Sequence, residues 1–595
     1  MAVKKGWILA VLVVFGLAGL GLVGLGLMFS EKKVKVQPAS TLVLDFADPI
    51  LEDMPADAES RFFYRDTPTL WDHLRALEHA ATDPNVEAVL LRIEDVDLGW
   101  AKAEELRHKL EELQDRGTKV IAYIEGGGDQ EYMMASAADV IYMAPNTQLY
   151  LDGLASYEMF FKGTLDKLGV KADLEHIGEY KSAAEPFTQR EASEAAREAS
   201  SALLDETFTD LRSAIADSRG LDSAAVMHVI DNGPYTSKQA QAAGLVDSLI
   251  YPDELEDLLP GGAGGTQVSV EDYLATLPPV EGPVNAPKIA VVHATGTIVG
   301  GESGSDPMWG RTIGADSFIE ALEEARDERG VRAIVVRIDS PGGEVYASHL
   351  MWRAIDQAAG HLPIVASFSD LAASGGYYLA MGADTIVADR ATLTGSIGVI
   401  GGKFNLAGLY DKLGMNVEVQ ARGQNAQFQS TLRDFTPAER ERYRSEMFEE
   451  YRTFVGIVAR NSGTSAERID EVARGRVWTG GMAQERGLVD IEGGIESAID
   501  VAKGMAGLDA DEEVRVEMFP RIKRSFVQEF VNRVVEEEDL GTAARARAAR
   551  AGALGGLPAP WLAGLLKPEL ELMGAFMRLH GGKKLAVLPF RIEIR

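Results

Sequence analysis

Three short motifs in this chain carry groups able to do chemistry together. Asp370-Leu-Ala-Ala-Ser374-Gly-Gly-Tyr-Tyr378 follows a β-branched run at Ile364–Phe368 and enters an apolar stretch, Tyr377–Met381, that reads as a helix start. Ser374 thus falls at a helix N-terminus, where unpaired N–H groups and the macrodipole favour developing negative charge. Upstream, a strand over Ala333–Asp339 runs into Ser340-Pro-Gly-Gly343. Paired glycines after a strand leave backbone N–H groups free and admit a close approach. The N–H groups of Gly343 and Gly375 together would make an oxyanion hole, where losing one donor typically costs about 3–4 kcal/mol. Ser-Gly-Gly alone is a weak signal, because without context a helix N-cap is the better explanation of the serine.

A hydroxyl nucleophile needs a base. The chain has nine His, and none lies near Ser374; His349 and His361, the nearest in sequence, read as surface or packing residues. There is no Cys, which excludes a thiolate nucleophile, disulfides and thiolate zinc sites. Lysine can serve if burial lowers its pKa towards neutrality. Tyr180-Lys181-Ser-Ala-Ala184 sets a lysine among small and aromatic neighbours. An arbitrary lysine is nevertheless a surface residue.

An internal repeat links the serine to the lysine. Val86-Glu-Ala-Val-Leu-Leu-Arg-Ile93 matches Val331-Arg-Ala-Ile-Val-Val-Arg-Ile338 at an offset of 245. Tyr132 and Ala135 match Tyr377 and Ala380, Ala138-Asp139 matches Ala383-Asp384, and Asp166-Lys-Leu-Gly169 matches Asp411-Lys-Leu-Gly414, all at that offset. Chance matches scatter, so one offset across four patches marks a tandem duplication. The register drifts to 243 at Gly244-Leu-Val-Asp247 and Gly487-Leu-Val-Asp490. Ser374 maps to Asp129, and Gly342 and Gly343 map to Asp97 and Leu98. Lys181 maps to Ala426. Each copy holds what the other lacks, which a site divided between the copies predicts and two structural modules do not.

The elements around these motifs read as α/β. Apolar runs at Ala333–Ile338 and Ile364–Ala366 read as buried strands, and Lys102–Arg116, Asp316–Arg329 and Glu344–Ala359 as helices between strands. That alternation predicts a mostly parallel sheet in each copy. Longer helices are expected over Ala192–Ser218, as a packed arm or subunit contact, and Thr436–Asn461. A chain of 595 residues exceeds one core. The expected division is an anchor at 1–30, a first copy at 31–260, a Gly/Pro-rich linker at 261–287, a second copy at 288–505 and a tail at 506–595. The tail reads as packing onto the assembly or the membrane surface.

Lys4 and Lys5 precede an apolar run from Trp7 to Phe29. As a helix it is about 34 Å long, enough to cross a hydrocarbon core of about 30 Å. A single-pass anchor with its N-terminus inside, exporting the rest, is expected. The net charge of −32 repels phosphate backbones and argues against nucleic-acid partners.

Taken jointly, Gly178-Glu-Tyr-Lys181-Ser-Ala-Ala-Glu-Pro-Phe187, Asp339-Ser-Pro-Gly-Gly343, Ala373-Ser374-Gly-Gly-Tyr377 and Thr394-Gly-Ser396-Ile-Gly398 resemble the long, duplicated form of the signal peptide peptidase A (protease IV) family. The resemblance runs from the anchor to about residue 505. It implies two crotonase/Clp-protease-type repeats, Ser374 as nucleophile, Lys181 as general base, and Ser396 holding the lysine ammonium. It places the oxyanion donors at Gly343 and Gly375. It further implies signal peptides and other short or unfolded peptides as substrates, an inner (plasma) membrane location with the catalytic part on the exported side, and a homotetramer. No metal or organic cofactor is indicated. The rival readings are a crotonase-type enzyme acting on acyl thioesters and a non-catalytic membrane scaffold.

Overall fold

In the computed structural model the described residues are 35–521, apart from 48, 56–63, 65–66, 95, 279–282, 284 and 307–309, together with 585–587. The anchor expected at 1–30 and most of the tail lie outside them. Among the described residues no helix is long and apolar enough to cross a membrane.

Each copy builds a parallel sheet. In the first, the strand order is Gln267–Ser269, Ser40–Asp45, Val86–Ile93, Lys119–Ile124, Val140–Met143, Ser248–Leu249, with every pair parallel. Val86–Ile93 is buried except at Glu87 and Arg92, as a strand covered on both faces must be. The second sheet centres on Lys288–Thr295, Val331–Ser340, Ile364–Ala373 and Thr385–Ala388, again parallel. Lys119 and Val140 open strands in one copy, and Ile364 and Thr385, each 245 residues on, open them in the other. Helices Trp100–Asp115 and Val345–Ala359 start at the same offset.

Two features depart from the sequence reading, and the long helix expected as a packed arm or subunit contact is a packed arm. Gln267–Ser269, inside the stretch taken as linker, is an edge strand of the first sheet. Arg515–Phe519, taken as tail, pairs with Lys288–Thr295 and extends the second sheet. Helix Glu194–Arg219, capped by Ser193, packs on the second copy of its own chain. Leu203 meets Val477 and Leu393, and Glu206 and Asp210 bind Arg390.

A further sheet joins the copies. Lys171–Ile177 of the first pairs antiparallel with Val399–Asn405 of the second, from Ile177 opposite Val399 to Lys171 opposite Asn405. The ladder is held by an apolar cluster drawn from both copies, including Val170, Ala183, Phe187, Ile400 and Phe404. Arg440 adds ion pairs to Asp173 and Glu175. The second copy's equivalent of Lys171–Ile177, residues 416–422, forms no strand.

Candidate active site

The inter-copy ladder delivers two side chains to one point. Lys181 lies four residues beyond Ile177, and Ser396 lies three residues before Val399. Ser374 arrives from the end of Ile364–Ala373, which pairs with Leu393–Gly395. The Lys181 Nζ donates to Ser374 Oγ at 2.7 Å, to Ser396 Oγ at 2.8 Å and to the Ser396 carbonyl at 2.9 Å. All three residues are fully buried. Burial is the one cause acting on Lys181, and it pushes the ammonium well below the ordinary lysine value. The amine then has access to its neutral form and can take a proton from the serine hydroxyl.

Ser374 is the N-cap residue of helix Gly375–Ala380, yet its side chain makes no capping hydrogen bond. It faces Lys181 instead, and the simple cap reading falls. The backbone at Ser374 has φ 56°, and that at Ser396 φ 52°. Positive φ in a residue other than Gly costs of order 1–3 kcal/mol and persists only where neighbours hold it. Here Ser374 N donates to the Gly395 carbonyl at 2.8 Å, and Ser396 N to that of Arg476 at 2.7 Å.

Gly343 and Gly375 approach each other closely. A Cβ on Gly375 would lie 3.0 Å from Gly343 N and 2.5 Å from Ser348 Oγ. One on Gly343 would lie 2.0 Å from the Ile298 carbonyl oxygen. Only glycine brings these two amides together beside Ser374. Gly475, which the sequence reading missed, makes room for the lysine stem: a Cβ there would lie 2.5 Å from that of Lys181. His349 packs against Trp352 and bonds the Tyr378 hydroxyl at 2.8 Å, in the packing role expected of it.

A charged cluster lies beneath the serine and the glycine loop. Strands Val331–Ser340 and Ile364–Ala373 pair as far as Ile338 and Phe368, then resume at Ser340 and Ala372. The extra residues form a bulge, which re-aims the strand end that carries Ser374. Lys102 of the first copy reaches into it, with Nζ 2.9 Å from Asp339 Oδ2 and 2.9 Å from Asp370 Oδ2. Its backbone N–H donates to Asp370 Oδ1 at 3.1 Å. Arg337, fully buried, pairs with Glu52 at 2.8 Å and Glu105 at 2.6 Å. Burial raises the Glu52 carboxyl, but Arg337 and Lys102 outweigh it and hold it down to about 2. Burial pushes Asp339 up to about 6 even beside Lys102. Asp339 sits in a motif the sequence singled out; Lys102 does not. Its one signal is the repeat, where it aligns with Ala347, an asymmetry like that of Lys181 and Ala426.

Leu585–Val587 lies antiparallel to Gly342–Glu344, with Val587 opposite Gly342 and Ala586 opposite Gly343. Its other neighbour is Ile400. The slot between the glycine strand and Val399–Asn405 therefore holds one extended backbone.

The family model described as peptidase family S49 matches residues 112–260 and 356–509, once in each copy and over about half the chain. The chain is 34% identical over 443 residues to "Serine protease SPPA, chloroplastic" of Arabidopsis thaliana, covering 73% of this chain and 65% of that one. It is 31% identical over 460 residues to "Protease 4" of Salmonella typhi, covering 74% and 72%. It is 31% identical over 218 residues to "Putative signal peptide peptidase SppA" of Enterococcus faecium, covering 36% and 63%. The aligned stretch is thus a little under two thirds of the plant protein's length. With one match in each copy, and relatives named as proteases of which one is named a serine protease, the chain belongs to peptidase family S49 and is a serine peptidase.

Proposed function

We propose that the chain cleaves signal peptides and other short or unfolded peptides at a membrane, using Ser374 and Lys181. Neutral Lys181 takes the Ser374 proton while Oγ attacks the scissile carbonyl. The N–H groups of Gly343 and Gly375 receive the oxyanion. The lysine ammonium, bonded to Ser396, then protonates the leaving amine, and water releases the acyl group with Lys181 again as base. The observation that carries this reading is the 2.7 Å contact between a serine hydroxyl and a fully buried lysine shifted by burial alone. A crotonase-type enzyme would use the glycine loop but leave that pair idle.

The slot beside Gly342–Glu344 favours peptides in extended form. The apolar run from Trp7 to Phe29 favours a retained single-pass anchor in the inner (plasma) membrane, with the site on the exported side. The family resemblance favours four subunits and two repeats of the crotonase/Clp-protease type.

The test is cleavage of a fluorogenic peptide and of a synthetic signal peptide by full-length chain in detergent. Ser374→Ala and Lys181→Met should each lose about 10³-fold or more in kcat/KM. Wild-type rates in either correctly folded variant would overturn the reading, and turnover of acyl thioesters in place of peptides would favour its rival.

A further inference from the structure

The oxyanion hole takes one N–H from the glycine loop, yet the loop offers two neighbouring amides, at Gly342 and Gly343. Ser340 bears on which one is free. It is fully buried, and it stands opposite Ala372, where the two strands resume pairing beyond the bulge. Its Oγ accepts from Gly342 N at 3.2 Å and donates to the Gly296 carbonyl at 2.7 Å. The first bond is a serine closing a turn on the N–H two residues ahead. The second spends the hydroxyl proton, so Ser340 has nothing left to offer a substrate.

The bond to Gly296 holds the loop from its other side. Gly296 N donates to the Asp339 carbonyl at 2.9 Å, so Asp339 and Ser340 together hold both backbone polar groups of Gly296. The backbone there has φ 103°, and a Cβ would lie 2.4 Å from the Arg311 carbonyl oxygen, so only glycine fits this turn. The turn leads into Thr297–Val299, where Ile298 pairs with Gly343. Behind the loop, a Cβ on Gly376 would lie 2.7 Å from the Ser340 carbonyl oxygen. Ser340 thus touches the loop, the turn that frames it and the helix that starts at Gly375. With Gly342 N committed, the loop amide left beside Gly375 is that of Gly343. The repeat shows the same coupling: Ser340 aligns with Asp95, so the first copy lacks this hydroxyl as well as the two glycines.

We propose that Ser340 is a positioning residue of the oxyanion hole: by holding the Gly342 N–H it selects the Gly343 N–H as the loop donor and fixes it against that of Gly375. This rests on the reading above and adds a residue buried out of the substrate's reach. Its effect falls on the transition state, because the oxyanion forms only after Ser374 attacks.

The test compares Ser340→Ala with wild type, as full-length chains in detergent, on a fluorogenic peptide. kcat should fall about 10²-fold with KM unchanged. A peptide aldehyde, whose adduct with a serine places an oxygen at the oxyanion position, should lose inhibition by the same factor. Binding of the uncleaved peptide is measured in the Ser374→Ala background, where adding Ser340→Ala should change nothing. The pH at which the rate rises should stay at its wild-type value, since Lys181 is untouched. Ser340→Cys keeps the side-chain shape with a much weaker hydrogen-bonding group. It should be slowed in the same pattern, and it decides the matter if the alanine variant does not fold. Wild-type kcat in either folded variant, a rise in KM that accounts for the loss, or a displaced pH profile would overturn the proposal. Activity kept in Ser374→Ala would sink the dyad itself, whereas an inactive Ser374→Ala beside a fully active Ser340→Ala would sink the positioning role alone.

Discussion

Replacing Lys102 by Met probes the clamp under the active site. The ammonium sits 2.9 Å from each of Asp339 and Asp370 and 3.9 Å from Glu52, and its side chain is 10% exposed. Removing one partner of a buried ion pair costs about 3–5 kcal/mol, because the other is left buried and unpaired. Two carboxylates are stranded here, so Lys102→Met should cost about that much at pH 8. The pH dependence follows from Asp339. Burial already raises its carboxyl to about 6 with Lys102 present, and without the lysine Asp370 and Glu52 push it higher still. A carboxyl raised on folding binds protons in the native state that the unfolded chain has lost. Its contribution to stability is full at low pH and disappears as pH rises through the folded value. The variant should therefore be less impaired at pH 5 than at pH 8. Urea unfolding at the two pH values, with peptidase rates on the same samples, measures this. Adding Asp339→Asn should recover at least half of the loss, since it removes a stranded charge. A loss below about 1 kcal/mol at pH 8, or an Asp339→Asn change that deepens the loss, would refute the clamp.

Three shorter predictions concern the site. The rate should rise with pH through an apparent pKa below the ordinary lysine value of 10.5, as burial lowers Lys181; a rise only near 10.5 would remove the case for a buried base. Gly343→Ala drives a Cβ to within 2.0 Å of the Ile298 carbonyl oxygen, so the loop must shift; kcat should fall about 10²-fold or more with the fold retained by circular dichroism. Ser396→Ala removes one of two acceptors that Ser396 offers Lys181, and should slow turnover about tenfold, as expected for one hydrogen bond to a charged group.

Much of the site was legible because the duplication supplied an internal comparison. Lys181 and Ser374 stood out through the residues that replace them, Ala426 and Asp129. The buried strands were legible from runs such as Val331-Arg-Ala-Ile-Val-Val-Arg-Ile338. What stayed hidden depends on long-range pairing. Lys102 lies in a helix rich in Lys, Glu and Arg, where composition alone does not tell the buried Lys102, Glu105, Arg107 and Lys109 from the exposed Glu111 and Glu112. Glu52, Glu105 and Arg337 come together only when the first copy docks on the second. Leu585–Val587 is three residues long, too short for any periodicity, and its place is fixed by the strands beside it. Gly475 has no motif of its own; the lysine it accommodates comes from the other copy.

The ladder between Lys171–Ile177 and Val399–Asn405 also bears on when the enzyme comes into being. Chains emerge N-terminus first, and domains tend to fold as they emerge. The copy that holds Lys181 is complete long before residue 405 has been made. Until that strand arrives, the lysine has no serine to act on and no buried setting to shift its proton affinity. A half-made or truncated chain is thus silent, and proteolytic potential appears only at the last long-range step of folding. Contacts of such separation form slowly. The delay protects the nascent chain from an active site that would otherwise form while it is still unfolded.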